Sequence, residues 1–477
     1  MSQLLFFYVR PEPGTWVYLS IFLLVGVFFV FHRLWSVRNL DILLLILLTP
    51  GLLLVYEGRK VRRLSPQLIP PSMVADDRHD PQSATRFVLL NQGAAGAAIA
   101  LGQESAPKQP TTWTADRLEM TGFISILTAC GLLMLRMLID PALVRRPLLE
   151  PNLSIGGLSF IGISLFLFLM SNVITSDPEL SHQRGPKLGP GYALLNRLPD
   201  LPTTPEHEGP VWNTNSDGAR SQWVFNLARS LVIIANLAIV LGIVGIGYWH
   251  FDNVKTGIGC AAMYLLFPYT AQMAGNVEHA LPAALLTLAI LSYRQPLIAG
   301  CFLGLASGLV YYPMFLLPLW ISFYAHRGFG RLLMGVISML ILLAGLLLLG
   351  GWPNFLEAIR DMFGLWIPAM DNLSGIWGLG LNPMFRLPVL VAFILLSFSF
   401  IFWPPRKTLG TLMCGTAAVM LAAQFWHGFG GGLYMAWFLP SVMLTIFRPN
   451  LDDRIAVRVV SPNWTRSDRL SVSAGSS

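Results

Sequence analysis

Long uninterrupted apolar runs are the feature that most constrains what this chain can fold into. Several runs contain about 18 residues or more, the length of a transmembrane helix; examples are 120–138, 155–174 and 224–249. Only 12% of the 477 residues are charged, whereas soluble domains carry about 25%. The runs are continuous, so they do not fit the alternating strands of a membrane barrel. We therefore predict an all-α, polytopic helical membrane protein with about 11–13 membrane segments.

The predicted segments are distributed along almost the whole chain. They cover 14–31, 40–56, 120–138, 155–174, 224–249, 257–274, 277–293, 297–311, 313–325, 332–351, 387–403, 409–426 and 430–447. The pair 297–311 and 313–325 is short, because a helix rises only 1.5 Å per residue and the membrane core is about 30 Å thick. We predict that this pair is a kinked hairpin, broken at Tyr312-Pro313, with both ends on the same side.

The chain divides into three predicted regions that differ in composition. They are an N-terminal region, residues 1–150, with the polar loop 57–119, a membrane core 151–447 with external loops 175–222 and 352–386, and a tail 448–477. The two early loops are rich in proline or glycine, which favours irregular structure. The tail is polar and ends in Ser and Gly, so we predict that it is disordered.

The distribution of Lys and Arg predicts which loops face the cytoplasm, because short cytoplasmic loops are enriched in these residues. Lys255, Arg294 and Arg331 then lie on the cytoplasmic side, and the start of the segment at 277 lies on the external side with loop 175–222. The basic cluster 59–63 fits less well. Either that loop violates the rule, or residues 87–101 also enter the membrane.

The net charge of +7 follows from these short basic loops. We therefore expect membrane lipids as partners and do not expect nucleic acid. The sequence contains no Walker loop, dinucleotide fingerprint, HExxH or CxxC motif. Transport driven by ATP and redox chemistry therefore have no sequence support. The four cysteines lie within apolar runs and are interpreted as small buried side chains.

Two carboxylates, Asp177 and Glu179, follow the segment 155–174 at the predicted external interface. A carboxylate partly withdrawn from water can have a raised pKa and act as a general base. We predict both as catalytic candidates. The alternative interpretation is an ordinary polar helix end with a turn at Pro178.

A second polar group, Asn276, Glu278 and His279, stands at the start of an apolar segment. Ionisable side chains at membrane depth are costly and usually functional, so these three are candidate substrate-binding residues. The alternative is a simple helix start. In that interpretation Asn276 is the N-cap and Glu278 complements the helix dipole.

Basic and aromatic residues supply the remaining substrate-binding candidates. Positive charge in an external loop runs against the usual bias and suits an anionic partner such as a phosphate at the membrane surface. Arg229 lies inside an apolar segment, where it must snorkel, pair or bind something. The candidates are Arg184, Lys187, Tyr192, Arg229, Tyr311 and Tyr312. A solvated loop and interfacial aromatic residues are the alternative interpretations.

Several short motifs occur in an order that resembles one family. From about Ile155 onward they are Gly189-Pro190-Gly191-Tyr192 after Asp177, Ala228-Arg229, Gly275-Asn276-Val277-Glu278, Arg294-Gln295-Pro296, Gly304-Leu305-Ala306 and Tyr311-Tyr312-Pro313 with Pro318. This pattern resembles the GT-C superfamily of integral membrane glycosyltransferases, in particular its bacterial mannosyltransferase-like members. Val310 stands where family members often have a lysine.

The resemblance implies a sugar transferase that uses a polyprenyl-phosphate sugar as donor, in a bacterial-type inner membrane. It implies Asp177 as the catalytic base, with basic residues holding the phosphate. No metal-binding residues are predicted, and a need for a divalent ion is left open. Two other functions remain as alternatives: a transporter of a lipid-linked substrate, and a non-catalytic membrane protein that organises an assembly.

Overall fold

The computed structural model describes residues 12–64, 112–143, 149–176, 195, 198–199, 201, 203, 218–325, 328–349, 351–352, 355–356, 373–405 and 407–449. Its helices are α1 Pro13–Phe28, α2 Val37–Ile46, α3 Leu48–Leu64, α4 Thr112–Ile139, α5 Ile155–Thr175, α6 Gly218–Trp249, α7 Val254–Leu266, α8 Pro268–Met273, α9 Val277–Leu291, α10 Pro296–Leu309, α11 Leu317–Tyr324, α12 Phe329–Leu348, α13 Arg386–Ser399, α14 Leu409–Trp426 and α15 Leu439–Phe447. No strand occurs in these residues, where the only sheet-like pairing is the bridge between Ser374 and Phe429. The predicted all-α class is confirmed.

Helix length and composition agree with a polytopic membrane protein. Within the described ranges, six helices are long and apolar enough to cross a membrane, and six shorter apolar helices have 10–17 residues. Together these twelve helices fall within the predicted number of segments. The long helices expose many large apolar side chains, among them Ile163, Ile234 and Ile341, as helices that face lipid do.

Two predicted segments differ from the observed helices. The segment 257–274 is interrupted at Phe267, whose extended backbone (φ −65°, ψ 130°) separates α7 from α8. The residue before a proline is pushed out of the helical region, and Pro268 follows. The segment 430–447 is helical only from Leu439, because its first residues form a turn in which Gly430 and Gly432 have positive φ.

The short helices α10 and α11 form the predicted hairpin. The 3₁₀ turn Tyr312–Leu316 joins them, and the Tyr324 hydroxyl at the end of α11 donates to the Tyr293 carbonyl just before α10. Gly328, after the hairpin, packs against Pro296 at its beginning. Both ends of the hairpin therefore lie at the same end of the bundle, and the prediction is confirmed.

Glycines allow α12 to run close beside α10. Gly300 faces the backbone of Leu332 and Gly304 faces that of Val336, so the two helices are parallel. A Cβ atom at Gly304 would lie 2.6 Å from the Val336 carbonyl oxygen. Small residues of this kind let helix backbones approach within a membrane, where packing rather than the hydrophobic effect drives association.

The chain separates into two compact units, Leu54–Thr121 and the remainder, Met1–Leu53 with Gly122–Ser477. In the smaller unit, Arg62 contacts Asp116 Oδ1 at 2.6 Å and Glu119 Oε2 at 3.3 Å. The boundary near residue 150 that the sequence suggests rests on the extent of the family resemblance, and it stays a prediction.

A buried network of four charges closes one end of the larger unit, which we call the ionic end. Arg136 Nε contacts Asp41 Oδ1 at 2.6 Å, and Arg136 Nη1 contacts Asp140 Oδ1 at 2.9 Å. Arg448 Nη2 lies 2.5 Å from Asp140 Oδ2. Two positive and two negative charges compensate one another, which is the condition for burying ions. Arg448 also packs on Gly410, so α14 begins at this end.

The close contact of α10 and α12 generates a stability prediction. Gly304→Ala places a methyl group against the α12 backbone, and we expect it to lower the free energy of unfolding by about 1–3 kcal/mol. Gly345→Ala is the matched control, because a Cβ there meets no atom within 4 Å. Thermal unfolding of the two variants in detergent measures the difference. Equal midpoints would show that the two backbones are not in contact at Gly304.

Candidate functional site

The opposite end of the larger unit, which we call the site end, contains a cluster of buried polar and aromatic side chains. Helix α14 finishes here at Trp426, and residues 427–438 lead into α15. Helix α9 begins here with Glu278 and His279 in its first turn. The Trp437 indole N–H donates to the Glu278 carbonyl oxygen at 3.0 Å, which joins these two segments of the chain.

Five rings stack in sequence at the site end, and we call them the aromatic column: His279, Tyr434, His427, Tyr312 and Tyr311. His279 and Tyr434 are 4.4 Å apart at 12°, and Tyr434 and His427 are 4.4 Å apart at 21°. Tyr312 lies 5.1 Å from His427 and 4.3 Å from Tyr311. The column residues come from α9, the hairpin break and the segment after α14. Stacked aromatic pairs add stabilisation beyond that of the area they bury, so the column holds these three segments together.

The turn between α14 and α15 holds its two column residues in place. Gln424 Oε1 accepts from the Gly432 backbone N–H at 3.1 Å. The Ser374 backbone N–H donates to the Gly428 carbonyl at 3.0 Å. Gly430 and Gly432 adopt φ of +71° and +98°, a region that favours glycine. The glycine-rich sequence therefore folds back tightly enough for His427 and Tyr434 to stack on one another.

Three polar groups meet beside the column in what we call the Glu-His-Tyr array. The Tyr269 hydroxyl lies 2.5 Å from His279 Nδ1, and His279 Nε2 lies 3.7 Å from Glu278 Oε1. If Tyr269 donates to Nδ1, the imidazole proton is on Nε2 and faces the carboxylate. A carboxylate, an imidazole and a hydroxyl thus follow one another as in an acid–base site, with the carboxylate and the imidazole in charge contact and beyond hydrogen-bond distance.

An arginine lies at the other side of the column. Arg386, at the start of α13, is only 4% exposed. Its Nη2 donates to the Trp426 carbonyl oxygen at 3.2 Å, and its Cζ lies 5.9 Å from the Trp426 ring centroid. Positive charge near an aromatic ring is stabilised by the ring quadrupole. The site end thus presents an acidic group at Glu278 and a basic group at Arg386, separated by stacked rings.

His427 is the most deeply buried member of the column. It accepts the Phe429 backbone N–H at Nδ1, at 3.1 Å, so its own proton is on Nε2. Burial, and secondarily the charge of Arg386, lower the pKa of His427 to about 3. Nε2 has no hydrogen-bond partner among the described residues. The ring is therefore neutral at physiological pH and has one unused donor.

Arg229 reaches the site end on α6. Its Nη2 donates to the Ser176 carbonyl at 3.3 Å, and its guanidinium covers the Phe225 ring at 4.1 Å. Gly242 faces Thr287 and Gly245 faces Leu291, so α6 and α9 run parallel. Counting back along both helices brings Arg229 level with the start of α9. Ser176, the last described residue after α5, therefore lies beside Arg229 at this end.

The predicted site residues fall into two groups. Arg229, Asn276, Glu278, His279, Tyr311 and Tyr312 all lie at the site end, and four of them belong to the column or the array. Asn276 is the N-cap of α9, but its side chain makes no capping bond. Outside the described residues lie Asp177, Glu179, Arg184, Lys187 and Tyr192, and their roles stay predictions.

The sequence interpretation missed several residues of the site. They are Tyr269, Arg386, Trp426, His427, Tyr434 and Trp437. All but His427 lie in predicted apolar segments or in a predicted loop. A histidine between two apolar runs, followed by consecutive glycines, was the signal that could have marked this turn.

The buried, neutral state of His427 generates a prediction about pH. The unfolded chain binds a proton at this residue near pH 6.5, whereas the folded chain does so only near 3. The contribution of neutral His427 to the free energy of unfolding is therefore fully present above about pH 6.5. It is lost as the pH falls below that value, by about 1.4 kcal/mol per pH unit. His427→Phe keeps a stacked ring without titration and should flatten this dependence.

Unfolding in detergent between about pH 4.5 and pH 7.5 measures the effect. His32→Gln is the matched control, because it replaces a histidine that is exposed. Identical pH dependence in the wild type and His427→Phe would contradict the buried neutral state.

Comparison with known proteins identifies no relative: no family model, no curated protein and no solved structure matches this chain.

Proposed function

We propose that the protein is a membrane glycosyltransferase that moves a sugar from a polyprenyl-phosphate donor to an acceptor on the non-cytoplasmic face. The observation that carries the proposal is the Glu-His-Tyr array at the site end, next to the aromatic column and level with Arg229. Carboxylate, imidazole, guanidinium and aromatic faces are the groups that bind and activate a phosphorylated sugar.

Each class of side chain has a role in the proposed reaction. The lipid of the donor lies among the exposed apolar helices, and Arg229 holds the phosphate and stabilises its leaving charge. Rings at the partly exposed edge of the column, such as Tyr311, offer a face for the sugar. Two carboxylates compete for the role of base: Asp177, favoured by the sequence resemblance, and Glu278.

A transporter is the main competing function. Transporters place ionisable groups near the membrane midplane, often between repeated halves. The Glu-His-Tyr array here lies at the start of a helix, and the sequence contains no evident repeat. A non-catalytic assembly protein would need no buried acid–base array. The position of the array argues against a transporter and its presence argues against a non-catalytic protein, so both arguments favour a transferase.

A sugar-transfer assay tests the proposal. Purified full-length protein should move radiolabelled sugar from a polyprenyl-phosphate donor to membrane-derived acceptors. Arg229→Gln should raise the donor KM by about tenfold or more, because one charge-assisted phosphate contact is lost. Arg331→Gln is the matched control, since Arg331 is exposed on the portion of α12 that packs near the start of α10.

Two results would contradict the proposal. One is the absence of label transfer from any polyprenyl-phosphate sugar tested. The other is movement of intact labelled lipid across proteoliposomes without cleavage of the sugar–phosphate bond, which would favour the transporter.

A further inference from the structure

We infer that Glu278 takes the proton from the acceptor hydroxyl, and that His279 and Tyr269 are positioning residues for it. This inference rests on the proposed function and assigns the base to a different carboxylate from Asp177, which the resemblance favours. Its basis is the geometry of the Glu-His-Tyr array and the order in which its members become accessible.

Exposure falls steadily along the array. The side chain of Glu278 is 12% exposed and that of His279 is 5% exposed, whereas Tyr269 is 1% exposed. A substrate that approaches from the site end therefore meets the carboxylate first. The imidazole and the phenol are too deeply buried to touch it, so they act through Glu278.

The imidazole of His279 lies beside the carboxylate of Glu278, with Nε2 3.7 Å from Oε1. When Tyr269 donates to His279 Nδ1, the imidazole proton is on Nε2, and that N–H faces Glu278 Oε1. Tyr434 stacks on His279 at 12° and prevents the ring from turning away.

The backbone of Glu278 is also held in place. Its carbonyl oxygen accepts the Trp437 indole N–H at 3.0 Å. An acidic residue in the first turn of a helix is explained by the helix dipole alone. That explanation does not require a histidine beside the carboxylate or a tyrosine hydrogen-bonded to that histidine. The additional groups are what an acid–base residue requires.

The step balances without a further reactant. The acceptor oxygen forms a bond to the anomeric carbon of the sugar, and its proton passes to a Glu278 oxygen. The bond between the anomeric carbon and the phosphate oxygen breaks. The electron pair of that bond leaves with the polyprenyl phosphate, so no oxidant or reductant takes part.

Steady-state kinetics of the full-length protein with a radiolabelled polyprenyl-phosphate sugar test the inference. Glu278→Gln should lower kcat by about 100-fold or more, with the donor KM changed by less than about threefold. Added formate should restore Glu278→Ala by about tenfold, because a small carboxylate can replace the missing base. Glu150→Gln is the matched control, since Glu150 is exposed near the ionic end and should leave activity unchanged.

The positioning role has its own readout. His279→Gln should retain more activity than His279→Ala, because a glutamine amide N–H can replace Nε2–H beside the carboxylate. Tyr269→Phe should lower kcat and leave the donor KM unchanged, as expected when only the orientation of the base is lost.

Several outcomes would overturn the inference while the proposed function stands. They are sugar transfer by Glu278→Gln at a rate within about threefold of the wild type, Glu278→Ala that formate does not restore, and Asp177→Asn that loses transfer while Glu278→Gln keeps it. A wild-type protein that transfers no sugar overturns both the inference and the proposed function.

Discussion

The stacking of His279, Tyr434 and His427 is the contact on which the site end depends. It joins the start of α9 to the turn after α14, two segments of the chain separated by about 150 residues of sequence. Each stacked pair contributes about 0.5–1.5 kcal/mol beyond burial of its area. Together with the Tyr269 hydroxyl, this stacking sets the plane of the His279 ring beside Glu278.

The two ends of the larger unit are closed by different physical means. At the ionic end, Asp41, Arg136, Asp140 and Arg448 compensate one another with full charges. Removing one partner of such a buried group leaves an uncompensated ion, which is strongly destabilising. The charge network therefore holds the chain segments at this end together. At the site end, rings and hydrogen bonds dominate, and the carboxylate of Glu278 remains partly accessible. The end with a partly accessible carboxylate is therefore the one that lacks the network of four paired charges.

The features that follow from local pattern were predictable from the sequence. Continuous apolar runs gave the helices, and two short runs around Pro313 gave the hairpin. Glu278 and His279 were identified because ionisable side chains are rare in an apolar environment. The breaks at Phe267 and before Leu439 were not predicted, because apolar composition continues through a proline or glycine that interrupts the helix.

The partners of the site residues could not be predicted, since they depend on which distant elements pack together. Tyr434 and Trp437 look like members of a membrane segment until the turn at Gly430 and Gly432 folds them onto α9. The contact of Arg386 with Trp426 was unpredictable for the same reason, because it follows from the packing of α13 on α14. Single-sequence patterns carry no information on such contacts.

A double-mutant cycle between His279 and Tyr434 tests the central claim most directly. His279→Ala, Tyr434→Ala and the double variant are unfolded in detergent, with a His279 and Tyr248 cycle as the control, because Tyr248 is 44% exposed near the far end of α6. We expect a coupling free energy of about 0.5–1.5 kcal/mol for His279 with Tyr434 and additivity for the control. Additivity within about 0.3 kcal/mol for His279 with Tyr434 would contradict the aromatic column.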